Sequence, residues 1–156
     1  MFRLMALTVS HVVALVVGFG LGIYFLPILV APASPDAAML QEKAQGAMFS
    51  GTFTRDLNGS DFLHWGEGTV SVTADSIVHE GKLAPGPDYK LYLTLGFVET
   101  EDAFFALKDQ AALVGDVKTF DGLLLEVPAG IDVADYDSVV IWCESFGEFI
   151  TAAKYR

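Results

Sequence analysis

Basic side chains are scarce in this chain, and cysteine is nearly absent. Nine Lys and Arg stand against twenty Asp and Glu, and Arg3 is the only charge among the first 35 residues. The remainder therefore carries eight basic and twenty acidic groups, a net of −12. Phosphate recognition needs clustered cations, so nucleic acid is excluded as a partner. The acidic balance suits solubility and a cationic partner or metal ions. A single cysteine, Cys143, rules out an intrachain disulfide. There is no C-x-x-C, no H-x-x-x-H, no C-x-x-C-H haem-attachment sequence and no phosphate-cradling glycine loop. The chain reads as a module rather than as an enzyme in its own right.

The N-terminal run from Leu4 to Val30 is what replaces charge. It exceeds the ~20 residues that cross a bilayer core, and the ~7–15 apolar residues of a cleavable signal. Arg3 precedes it, and Asp36 and Glu42 follow. The positive-inside rule then puts the N-terminus in the cytoplasm and the rest outside, periplasmic or extracellular. The reading is an uncleaved signal anchor over 1–30, with cleavage near Ala31 or Ala33 as the alternative. Gly18 and Gly22 form a G-x-x-x-G pair that could seat a second helix, although glycine is common in membrane helices. His11 reads as a neutral histidine reaching toward the interface rather than as a ligand.

Residues 31–47 follow as a linker. The Pro-containing stretch Ala31–Pro35 is stiff, and Ala37–Ala47 favours either a short helix or a spacer. From 48 to 156 the pattern is that of an all-β domain. Strands are expected at Met48–Thr54, Gly68–Thr73, Ser76–Glu80, Tyr89–Leu95, Leu113–Phe120, Gly122–Val127, Val139–Trp142 and Ile150–Tyr155. Tyr89, Leu91, Leu93 and Leu95 alternate with Lys90, Tyr92 and Thr94, the cleanest period of two in the chain. Glu99–Asp109 is either a short helix capped by Thr100 or a mobile loop. Eight short strands with turns between them predict an antiparallel β-sandwich or barrel.

The groups able to carry chemistry are few. Cys143 ends the strongest strand signal, Val139–Trp142. It is either an inert core thiol or a reactive or ligating one. With His64 and His79 it makes a copper-like ligand set by count, against the plainer reading of ordinary strand and surface histidines. Non-covalent haem held by His, Met or Cys is also open. Nucleophilic use of Cys143 would need a base, for which His64 is the better candidate. Trp142 and Phe146 would wall such a site.

Taken in order, several landmarks resemble the DM13 domain, also called electron-transfer DM13. They are Gly51-Thr52-Phe53, His64-Trp65-Gly66-Glu67-Gly68-Thr69-Val70, Gly86-Pro87-Asp88-Tyr89-Lys90-Leu91-Tyr92-Leu93, Leu113–Lys118, Gly122–Pro128 and Val139–Phe146, with Ala153 and Tyr155 near the end. The resemblance covers about Phe49–Tyr155. It implies a β-rich extracytoplasmic module, in animals often found beside cytochrome-like and DOMON domains. It further implies that Cys143 is the family's near-invariant cysteine and His64 its histidine motif. A redox role then follows for Cys143, as a bare thiol or as a ligand to a group such as haem, with a redox partner protein. His79 lies outside the matched landmarks. The rival reading is a non-catalytic binding or structural module of the cell envelope. It would present an acidic face, with the G-P-D turn or Glu99–Asp109 as the contact.

Overall fold

A computed structural model describes residues 1–156. Helix α1 runs over Phe2–Val30 and α2 over Ala37–Ala44, where the Asp36 carboxylate caps the Ala38 N–H at 2.8 Å. Strands follow at Phe49–Phe53 (β1), Gly66–Val72 (β2), Ser76–Leu83 (β3) and Tyr89–Thr94 (β4). Helix α3 (Glu101–Leu107) separates these from β5 (Ala112–Val117), β6 (Asp121–Glu126), β7 (Ser138–Cys143) and β8 (Glu148–Lys154). The strands form two antiparallel four-stranded sheets, ordered β1-β2-β3-β6 and β5-β4-β7-β8. The expected sandwich is the fold, preceded by one long apolar helix.

Alternation explains where each face goes. In β4 and β7 the side chains of Tyr89, Leu91, Leu93, Val139, Ile141 and Cys143 enter the core between the sheets. Tyr92, Val140 and Trp142 point to the other side, where α3 covers them. A strand buried on both faces needs no polar alternation, which is why Val139–Trp142 reads as a continuous apolar run. Beneath α3, the Phe104 and Trp142 rings lie 4.7 Å apart and Phe105 meets Trp142 edge-on at 4.9 Å. Thr100 caps α3 by accepting from the Ala103 N–H at 3.3 Å, so the helix, not the mobile loop, is the outcome over Glu99–Asp109.

Strand ends moved by a few residues. Leu95 lies past the end of β4 and is exposed, although its period matched the core positions. The Thr94 hydroxyl donates to Gly96 O at 2.8 Å and turns the chain there. Strand β2 begins at Gly66 and β8 at Glu148, earlier than alternation alone suggests. Cross-strand partners draw both starts outward, Leu83 opposite Gly66 and Cys143 opposite Glu148.

His79 is in the core of the first sheet, 1% exposed, with its ring 5.0 Å from that of Phe53. Its Nε2 donates to Glu67 O at 3.0 Å, and Nδ1 has no partner. Burial holds the imidazole below its ordinary pKa, against the opposing effect of the Glu67 hydrogen bond. The neutral ring is therefore favoured by folding. That contribution is present above the unfolded pKa of about 6.5 and is lost as pH falls through the folded value. In His79→Gln, which keeps a donor for Glu67 but cannot ionise, the loss of stability on acidification below about pH 6.5 should be shallower than in the wild type. Denaturant midpoints measured across pH 4–7 check this. Phe104→Ala, which empties a fully buried site, should cost about 3–5 kcal/mol in the same assay at neutral pH.

Candidate functional site

Three turns meet at one end of the sandwich. The first closes β7 onto β8: Gly147 N donates to Cys143 O at 2.9 Å, and Gly147 sits at φ +67, a conformation that side chains rarely adopt. The second, Pro85–Asp88, carries the chain from β3 to β4. Here a Cβ on Gly86 would lie 2.6 Å from Tyr89 Cζ, so only glycine lets the backbone pass over that ring. The third is Asp61–His64. The Asp61 carboxylate accepts from the Leu63 and His64 N–H groups at 2.7 and 2.8 Å, and Asp61 N donates to His64 O at 2.9 Å.

The first two turns are stitched together around the thiol. Cys143 Sγ donates to Pro87 O at 3.1 Å, and Glu144 N donates to Asp88 O at 3.1 Å. Ser145 Oγ donates to Asp88 Oδ2 at 2.7 Å, and Lys90 Nζ sits 3.3 Å from Asp88 Oδ1 and 2.7 Å from Asp116 Oδ1. The Ser145 hydroxyl, and after it Lys90, keeps the Asp88 carboxyl below the usual range despite some burial. Tyr89 is the direct cross-strand partner of Cys143. Cys143 itself is 2% exposed. Burial pushes its thiol pKa up, and the backbone N–H groups of Phe146 and Ser145 only partly offset this.

A cleft of about 440 Å³ opens between these turns and α1. His64, Cys143 and Phe146 line it, together with Leu63, Tyr89 and residues Pro85–Pro87. Glu148 and Ile150 come from β8, and Gly20, Ile23 and Tyr24 from the helix. His64 Nδ1 lies 3.1 Å from Asp61 Oδ2. A carboxylate only accepts, so Nδ1–H donates to Asp61 and Nε2 is the nitrogen left free of that pairing.

The structure therefore brings His64, Cys143 and Phe146 to one cleft. It does not bring His79 there, nor Trp142, which lies on the opposite face of β7 against Phe104. Reasoning from the sequence missed Asp61, Tyr89, Glu148 and Tyr24. Asp61 accepts from the N–H two residues on, at Leu63, and an aspartate's tendency to form such an Asx-turn just before His64 could have flagged it. Tyr89 opposite Cys143 is a matter of register.

No three His, Cys, Asp or Glu side chains converge anywhere, so the donor set does not fit the His₂Cys copper arrangement. Thiolate-ligated haem would need Cys143 ionised, which its burial opposes. His64 is the one imidazole the cleft offers to haem.

The sequence profile of the family described as electron transfer DM13 matches residues 53–155. No curated protein and no solved structure matches the chain.

Burial of the Cys143 thiol makes stability depend on alkaline pH. Stability tied to the neutral thiol is fully present below the unfolded pKa of about 8.5 and is lost as pH rises through the folded value. Tyr89, Tyr92 and Tyr155 are likewise raised by burial, and they add to the loss at still higher pH. Relative to Cys143→Ser, the wild type should lose stability more steeply above about pH 8.5 in denaturant titrations at pH 7–10.

Proposed function

The chain belongs to the DM13 family, and on that footing we propose that it is a membrane-anchored extracytoplasmic electron-transfer module whose reactive group is the Cys143 thiol. The observation that carries this reading is the single cleft shared by Cys143 and His64. Oxidation of a thiol proceeds through the thiolate. At rest, burial and the Pro87 carbonyl keep the proton on sulfur. His64, oriented by Asp61, has the free nitrogen that would take that proton when the turns part. Cys143 is thus guarded at rest and becomes reactive whenever the turns part, an opening that a redox partner protein would favour.

In this reading α1 is a signal anchor. Its 29 residues carry a single charged side chain, Arg3, and have the length and hydropathy of an anchor or a signal sequence. Arg3 sets the N-terminus inside and the β domain outside. A Cβ on Gly18 or Gly22 would meet nothing within 4 Å, so that face of the helix has room for a second copy.

A second reading rests on a specific contact. The Cys143 Sγ hydrogen bond to Pro87 O joins two turns, as a purely structural thiol in a non-catalytic binding module with an acidic surface would. Alkylation of the native full-length chain in detergent separates the two. The redox reading expects Cys143 to react with iodoacetamide without denaturant, and His64→Ala to slow that reaction about 100-fold, the lower end of the range typical of losing a general base. A thiol that reacts only after unfolding would leave the structural reading standing. In that case Cys143→Ala should cost about 1–2 kcal/mol of stability and nothing else.

A further inference from the structure

The helix that anchors the chain is longer than a bilayer core, and its surplus forms one wall of the cleft. At 1.5 Å per residue, α1 spans about 43 Å, against a hydrocarbon thickness of about 30 Å. Roughly nine residues are left over once the core is crossed. Counted from the N-terminal side, the surplus is the C-terminal part of α1. That is where Ile23 and Tyr24 line the cleft, and where Leu26, Pro27 and Val30 face Pro87 and Phe120. The cleft mouth therefore sits at the lipid–water boundary, the level at which tyrosine is enriched. Phe62, 84% exposed beside Leu63, and the half-exposed Phe146 give the domain an apolar edge at the same end.

The chemistry of the cleft narrows what could enter. No Lys or Arg lines it, and the domain around it is strongly acidic. A phosphate-bearing lipid headgroup would find no cation there and a repulsive field around it. Apolar walls instead surround a few polar groups: the Tyr24 and Tyr89 hydroxyls can donate to a carbonyl oxygen, and His64 Nε2 and the Glu148 carboxylate can accept from a hydroxyl. A flat, neutral ring with carbonyl or hydroxyl oxygens and an apolar tail meets all of these conditions. The tail would remain in the bilayer beside α1.

We propose that the cleft between α1 and the Asp61–His64, Pro85–Asp88 and Cys143–Gly147 turns is a binding site for a membrane-soluble quinone, entered from the bilayer. This deepens the electron-transfer reading by giving the site its ligand class. It does not depend on which group donates or accepts the electron.

The test uses the full-length chain in phosphatidylcholine nanodiscs and a photoreactive azidoquinone with a short isoprenoid tail. After illumination, labelled peptides are mapped by mass spectrometry. The expected result is saturable labelling of segments 61–64, 85–89 and 143–148, displaced by excess unmodified quinone. Gly20→Leu provides the decisive variant, because a Cβ at Gly20 meets nothing within 4 Å and can project toward the cleft without disturbing the β domain. It should reduce labelling of the three turns at least fivefold while leaving the unfolding midpoint unchanged. Labelling confined to α1, labelling that does not saturate, or labelling of the turns that is indifferent to Gly20→Leu would each overturn the site. Alkylation of Cys143 is read in a separate assay, so a thiol found inert there leaves the labelling result to stand or fall by itself.

Discussion

The constraint on which the rest depends is that β7 is covered on both faces. Every one of its residues is buried, so it has no freedom to slide or rotate. A slip of one residue would exchange Cys143 and Trp142 between the inter-sheet core and the α3 layer. The cost would be borne at once by the Phe104–Trp142 stack and by the pairing of Tyr89 with Cys143. The position of the thiol is thus fixed by packing at its neighbours rather than by any bond of its own. A weak sulfur hydrogen bond can then hold a reproducible geometry.

Around that strand, polarity is sorted by side. On the α3 face, Lys108 donates to Glu144 Oε2 at 2.7 Å, and the Tyr92 hydroxyl donates to Oε1 of the same carboxylate. Burial works against ionisation of Glu144, but Lys108 and Tyr92 together bring its pKa below the ordinary value. Lys108 also lies 5.4 Å from the Trp142 ring centroid, capping the aromatic layer with a cation. No Lys or Arg lines the cleft, and the Asp61 carboxylate there holds the His64 ring together with the Leu63 and His64 N–H groups. Two adjacent residues, Cys143 and Glu144, therefore belong to electrostatically different neighbourhoods although one peptide bond joins them.

Much of this was legible in the sequence, for reasons that differ by element. The alternation of Tyr89–Leu93 and the apolar run Val139–Trp142 reflect burial, which side-chain type reports directly. The G-P-D turn and the Thr100 cap reflect local backbone chemistry, which is also local in sequence. Leu95 misled because its period continued after hydrogen bonding had turned the chain. Trp142 misled because neighbours in a strand face opposite ways, so adjacency to Cys143 along the chain argues against sharing a wall with it. His79 offered the right ligand chemistry, but its partners Glu67 and Phe53 come from other strands. The meeting of His64 with Cys143 is likewise a product of sheet order, which no local pattern encodes.

The carbonyl of Pro87 has a further consequence. A carbonyl oxygen can only accept, so the contact with Cys143 exists while sulfur keeps its proton. Once that proton leaves, two electron-rich atoms about 3 Å apart face one another, and attraction becomes repulsion. The displaced group is backbone, and it adjoins Asp88, a non-glycine residue held at φ 54 by its ties to Ser145 and Lys90. Ionisation of the thiol would therefore favour the parted arrangement of the turns over the closed one, and the turn it repels forms part of the cleft wall.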